Sequence, residues 1–180
     1  MQLTIVNHWL NAAERVVSPN YNDRPANRID MLVIHNISLP PGEFGGPYIS
    51  QLFTNQLNPS QHPYFEQISG LEVSAHLLIR RDGTMIQYVP FDKRAWHAGQ
   101  SCFSGDENCN DFAIGVELEG FDDVPYEPVQ YQRLAQVSKV LMETYRKLTP
   151  QRIAGHCDIA PGRKTDPGEA FDWGRFRSLL

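Results

Sequence analysis

The chain has 180 residues, 41% hydrophobic and 21% charged, and a formal net charge of −5. That length predicts one domain, 1–180, able to bury about 70% of the surface its unfolded form exposes without disulfide staples. A net negative chain with no long Lys/Arg run is unsuited to tracking a polyanion, which argues against nucleic acid as a partner.

In chain order, the first strong signal is MLVIHNI, residues 31–37. Its unbroken run of branched apolar residues predicts a strand covered on both faces. Between 47 and 57, Ile49, Leu52, Phe53 and Leu57 recur at helical spacing, and Asn58-Pro59 ends the stripe. AHLLIRRDGTMIQYV, residues 75–89, reads as two strands joined in a hairpin around Asp82-Gly83. FAIGVELEG, residues 112–120, alternates, with Phe112, Ile114, Val116 and Leu118 on one face and Ala113, Gly115, Glu117 and Glu119 on the other.

From 128 to 148, Leu134, Val137, Leu141, Tyr145 and Leu148 form one helical stripe, with Pro128 in the first turn and Pro150 just past the end. RIAGH, residues 152–156, is a shorter strand, and the tail DWGRFRSLL predicts a helix capped by Asp172 that buries Phe176 and Leu179. Strands interleaved with helices, plus an internal hairpin, predict an α/β (α+β) fold, a mixed sheet flanked by helices.

The leading residues MQLTIVNHWLNAAERVV lack the charged start and apolar run of a secretory signal. No window approaches the roughly 18 apolar residues of a membrane span. Three cysteines, Cys102, Cys109 and Cys157, fit a reducing compartment, so we expect unpaired thiols and a cytoplasmic location. With no such span we expect no membrane partner, and the acidic balance and lack of an evident exposed apolar helix predict a monomer.

Chemistry concentrates in a few places. His35 ends an apolar strand and is followed by Asn36 and the loop SLPPGEFGG, which puts it where α/β proteins bind ligands. Residues 155–168, GHCDIAPGRKTDPG, crowd His156, Cys157, Asp158, Lys164 and Asp166 onto a stiff loop. His156 and Asp166 with a third ligand from a distant strand would satisfy a catalytic zinc site, whose nitrogen and oxygen ligands lie at about 2.0–2.2 Å. Cys157 or Asp158 are alternative ligands by spacing, and a solvated loop is the plain alternative.

Ala113 and Gly115 leave the polar face of their strand nearly bare, which suggests room for a substrate beside Glu117 as a proton acceptor. A solvent-facing carboxylate pair is the competing reading, and Glu119 is assigned to it. Lys164 is either an oxyanion donor or an ordinary loop cation. In AWHAG, residues 95–99, Trp96 and His97 suit a stacking wall, or Trp96 anchors a loop. His8 and His62 carry no assignment.

VIHNISLPPGEFGG, VSAHLLIRRDG, FDKRAWHAG, CNDFAIGVELEG, GHCDIAP, RKTDPG and AFDW together resemble the zinc amidases that split N-acetylmuramyl-L-alanine. Within that family they are most similar to the cytoplasmic 1,6-anhydro-N-acetylmuramyl-L-alanine amidases; peptidoglycan recognition proteins and T7-type lysozyme are wider members. The resemblance runs from about residue 18 to the end. It implies Zn²⁺ held in a cleft by His35, His156 and Asp166, with Glu117 as the catalytic acidic residue and Lys164 as the active-site lysine.

The same resemblance places Asn36, His76, Trp96 and His97 on the substrate-binding wall and leaves Asp158 to brace the loop. It implies anhydro-muropeptide substrates and a role in peptidoglycan recycling. An amidase of intact wall and a non-catalytic peptidoglycan-binding module are the alternatives. Where the family often has arginines, before VSAH and near CNDF, this chain has Glu72 and then Glu107 and Asn108, so its hold on the stem-peptide carboxylate is expected to differ.

Overall fold

The structure is a computed structural model and is described for residues 3–180. Its central sheet has six strands: β1 Glu14–Arg15, β2 Met31–Ile37, β3 Leu77–Ile79, β4 Met85–Gln87, β5 Ala113–Glu119 and β6 Ile153–Gly155. Their spatial order is β6-β2-β5-β3-β4-β1. β6, β2, β5 and β3 run parallel, β3 and β4 form the antiparallel hairpin, and β1 lies parallel to β4. Gly83 turns that hairpin at φ +83°, a backbone region glycine enters without a Cβ penalty.

β5 lies at the sheet's centre, in register with β2 from Met31↔Ala113 to Ile37↔Glu119. On one face Leu32, Ile34, Ile114, Val116 and Leu118 meet Leu134, Val137 and Leu141 of the long helix Pro128–Thr144. Each such side chain withdrawn from water contributes about 1.5–3 kcal/mol, so tertiary packing rather than propensity holds this helix. On the other face Met31, Val33 and Ala113 pack with Ala98, Cys109, Phe112 and Ile159.

This arrangement corrects the expectation of a wet face on β5, because all seven of its residues are buried. Small residues there admit the 95–99 segment instead of solvent. Glu119 is likewise only 2% exposed. It accepts the Gly45 N–H at 2.6 Å and the Arg81 N–H at 3.1 Å, so it is a loop staple and not a surface charge.

The described residues form five α-helices in chain order: α1 Tyr48–Phe53, α2 Pro63–Gln67, α3 Pro128–Thr144, α4 His156–Ile159 and α5 Trp173–Ser178. α1 is shorter than its stripe predicts, because Asn55 takes the left-handed conformation, φ +59°. α3 also stops before Leu148, which is buried from the turn beyond. α2 has no apolar periodicity to announce it and relies on Pro63 in its first turn and on His62, whose Nδ1 accepts the Tyr64 N–H at 3.1 Å.

Asp172 caps α5 as expected, accepting the Arg175 N–H at 2.8 Å. All three cysteines are free. Among the described residues no helix is long and apolar enough to cross a membrane.

Candidate metal centre

Four parallel strands end at the same edge of the sheet, and the register there gathers the candidate residues. Glu117 pairs with His35, and Gly155 pairs with Ile34, which brings the next residue, His156, abreast of His35. Partners in register on neighbouring strands share a face, so one row across the sheet carries an imidazole, an imidazole and a carboxylate.

Asp166 joins them from the following loop. The Cys157 N–H donates to the Asp166 carbonyl at 2.9 Å, which folds the loop back on α4. Asp158 braces the same turn, its Oδ2 accepting the Gly155 N–H at 2.7 Å. That bond takes up Asp158, while the one-turn helix His156–Ile159 places Cys157 outside the cleft.

The convergence is close. His35 Nδ1, His156 Nδ1 and Asp166 Oδ2 lie 3.0 Å from one another in each pairing. His35 and His156 are buried, and the Asp166 side chain is 14% exposed. His156 Nε2 sits 3.0 Å from the Ala98 carbonyl, which can only accept, so Nε2 carries the hydrogen and Nδ1 offers its lone pair inward. His35 Nε2 sits 3.0 Å from His97 Nδ1, which allows the same tautomer. Two imidazole lone pairs and a carboxylate oxygen facing one another are the donor set of a cation site, and they fit a catalytic zinc.

Electrostatics favour that use. Burial pulls the His35 pKa down to about 4 against the opposing pull of Asp166, so the ring is neutral at pH 7. Burial pushes the Asp166 carboxyl up, but the two imidazoles outweigh it and hold the group well below the usual range. Glu117 moves the other way. Burial, then the like charge of Asp166, lifts it well above 4.5, while Lys164 pulls it back down. Among the described residues its Oε2 has no hydrogen-bond partner.

These groups line a cleft of about 300 Å³ together with Asn36, Trp96, His97 and Lys164. The Asn36 amide donates to Asp122 Oδ1 at 2.8 Å, and the Trp96 indole donates to Asn22 Oδ1 at 2.9 Å. Lys164 is exposed at the cleft. Leu52, Tyr64, Ile68, Leu71 and Phe121 form its apolar side; of these only Leu52 belongs to a predicted stripe, and nothing in the sequence marked any of them as cleft-lining.

Two expectations fail here. His76 does not reach the cleft wall: it is fully buried, accepts the Gly115 N–H on Nδ1 at 3.0 Å and sets Nε2 3.0 Å from the Lys93 carbonyl. The bare strip at Gly115 is also not substrate space, because a Cβ there would lie 2.5 Å from the His97 ring. Glu72 borders a smaller apolar hollow that shares Leu52, Ile68 and Leu71 with the cleft. Glu107 and Asn108 line a separate hollow with Arg163.

The Amidase_2 family, N-acetylmuramoyl-L-alanine amidase, matches residues 25–169. The chain belongs to that family. It is 59% identical over 173 residues to the 1,6-anhydro-N-acetylmuramyl-L-alanine amidase AmpD of Escherichia coli (strain K12), a match covering 96% of this chain and 94% of that one.

The crystal structure of a Se-Met AmpD derivative superposes with a TM-score of 0.95 at 57% identity over 98% of both chains. The amidase AmiD from E. coli, in complex with the substrate anhydro-N-acetylmuramic acid-L-Ala-D-gamma-Glu-L-Lys, gives a TM-score of 0.62 at 26% identity, covering 98% of this chain and 65% of that one. The mixed sheet flanked by helices is therefore the amidase fold, as the residues predict.

Proposed function

We propose that this amidase hydrolyses the amide between the lactyl group of 1,6-anhydro-N-acetylmuramic acid and L-alanine in muropeptides released during peptidoglycan recycling. His35, His156 and Asp166 would hold Zn²⁺. A bound zinc supplies Lewis acidity towards the amide carbonyl and towards water.

The chain's own groups do the rest. Glu117 Oε2, unpartnered and in register with His35, takes a proton from the attacking water as its oxygen bonds to the carbonyl carbon. It then delivers that proton to the alanine nitrogen as the C–N bond breaks, and its raised proton affinity suits this second task. The Lys164 ammonium, in the same cleft, offsets the negative charge that develops on the carbonyl oxygen. The observation that carries this reading is the row of His35 and Glu117, in register on β2 and β5, with His156 at the residue just past β6; the 59% identity to the E. coli enzyme points to the anhydro substrate.

The reading places one amidase domain over 1–180 in the cytoplasm as a monomer, with no nucleic-acid or membrane partner. Its test compares peptide release from an anhydro-muropeptide with release from polymeric sacculi. We expect fast, chelator-sensitive cleavage of the small substrate and little of the polymer. Equal or faster release from sacculi would reassign the enzyme to intact wall, and zinc-independent binding without cleavage would make it a binding module.

A further inference from the structure

We propose that His97 is a positioning residue of the metal centre: its Nδ1 accepts the Nε2–H of His35, which aims the His35 Nδ1 lone pair between His156 and Asp166. This rests on the zinc reading above and adds an outer shell to it.

A neutral imidazole has one ring hydrogen, so a cation on His35 Nδ1 requires that hydrogen on Nε2. Among the described residues the hydrogen-bond partner of that Nε2 is His97 Nδ1, at 3.0 Å, with the two rings edge-to-face. His156 has its counterpart one residue further on, in the Ala98 carbonyl. Adjacent residues thus set the tautomer of both imidazoles.

Four features keep that pair in place. Asn110 Oδ1 accepts both the His97 N–H at 3.1 Å and the Ala98 N–H at 2.8 Å. Arg163, on the loop that carries Asp166, donates to the Ala98 carbonyl at 2.7 Å. The missing Cβ of Gly115 makes the socket for the His97 ring, since a Cβ would lie 2.5 Å from its Cγ. His76 lies against the same ring, edge-to-face at 5.7 Å, and is itself tied to the Gly115 N–H. A ring so enclosed, with its Nδ1 spent on His35, is built to orient a ligand.

The test measures the zinc dissociation constant of the wild type and of His97→Leu by competition with a chromophoric chelator, alongside kcat and KM for an anhydro-muropeptide at saturating zinc. Loss of such an outer-shell partner weakens metal affinity about 10–100-fold. We expect that loss in His97→Leu with KM near the wild-type value, and substantial recovery in His97→Asn, whose Oδ1 can replace the Nδ1 acceptor.

Zinc affinity within twofold of wild type in His97→Leu, with KM raised, overturns the proposal and makes His97 a substrate wall. If His97→Leu does not fold, His97→Asn against His97→Gln carries the comparison: Gln sets its amide near the Nε2 position and should bind zinc more weakly than Asn, and equal affinities overturn the proposal. A wild-type protein that binds no zinc would instead sink the metal reading on which this one rests.

Discussion

Replacing Glu117 by Gln separates what this carboxylate does in catalysis from what its burial does to the fold. The side chain is 8% exposed, its Oε2 has no partner, and burial with the nearby Asp166 lifts its pKa well above 4.5. The folded protein therefore holds the Glu117 proton more tightly than the unfolded chain does. A carboxyl raised in this way lowers stability as pH rises from about 4.5 through the folded value, by up to about 1.4 kcal/mol per pH unit.

Gln keeps the shape and cannot ionise. The chelator-treated Glu117→Gln protein should match the wild type near pH 4.5 and become progressively more stable than it above that. Its turnover should fall about 10²–10⁴-fold, or about 3–5 kcal/mol of barrier, the ordinary worth of a positioned general acid–base group. Urea unfolding at pH 5 and pH 7.5, chromatographic release of the peptide and zinc content by elemental analysis read these three quantities. Turnover within tenfold of wild type with zinc retained would remove Glu117 from the chemistry. A stability difference equal at both pH values would show that no buried ionisation is at stake.

Lys164→Met should keep zinc and lose two to three decades of kcat, about 3–4 kcal/mol, as for a lost oxyanion donor; unchanged kcat would return Lys164 to the solvated loop. Zinc at about a thousandfold excess over its Kd should stabilise the chain by about 4 kcal/mol, or about 8–16 °C in Tm, and chelation should reverse it. Asp166→Ala should show no such response in differential scanning calorimetry. His76 is held neutral by burial, its pKa pulled down to about 3. Because the unfolded ring takes its proton near 6.5, the stability His76 contributes is full above that pH and is lost as pH falls from 6.5 towards 3. Between pH 6.5 and 5 this amounts to about 2 kcal/mol, which His76→Asn should abolish in denaturant titrations; an unchanged slope would refute the assignment.

Some elements are legible in the residues because one physical cause dominates them. β2 reads as doubly covered since its apolar run leaves no polar face, and so it stands between β6 and β5. The hairpin at Asp82-Gly83 and the Asp172 cap are local chemistry and need no tertiary information. β5 is harder. Its alternation of large apolar with Ala, Gly and Glu looks like a wet strand, yet the small side is the socket of a segment, 95–99, some 15 residues upstream with no periodicity of its own.

The candidate metal centre divides the same way. A strand-end His35 and a stiff His156–Asp166 loop are visible as candidates, but spacing does not choose among Asp166, Cys157 and Asp158. That choice needs the helical turn at His156–Ile159, together with the backbone bond from Cys157 to Asp166. The role of Ala98 has no signature in residue type, because it acts through its carbonyl, and that of Asn110, whose side-chain Oδ1 accepts the His97 and Ala98 N–H groups, is set by a tertiary contact that no local pattern announces.

The two glutamates of β5 show how environment assigns a role that composition leaves open. Glu117 and Glu119 are two residues apart, so they rise from the same face of one buried strand. Glu119 is saturated: backbone N–H groups of Gly45 and Arg81 take its two oxygens, and its carboxylate closes the loop that follows β2. Glu117 keeps an unpartnered oxygen one step nearer the imidazole pair, in a cleft with an exposed lysine. A buried carboxylate left with an open oxygen binds a proton strongly, because burial without a hydrogen-bond donor disfavours its charged form. Glu119→Gln should therefore loosen the 38–46 loop and leave the proton-transfer step intact, the opposite of what the same substitution does two residues earlier. Proteolytic susceptibility of that loop beside kcat measures the contrast, and a Glu119→Gln enzyme with an intact loop and a collapsed kcat would break the division of labour drawn here.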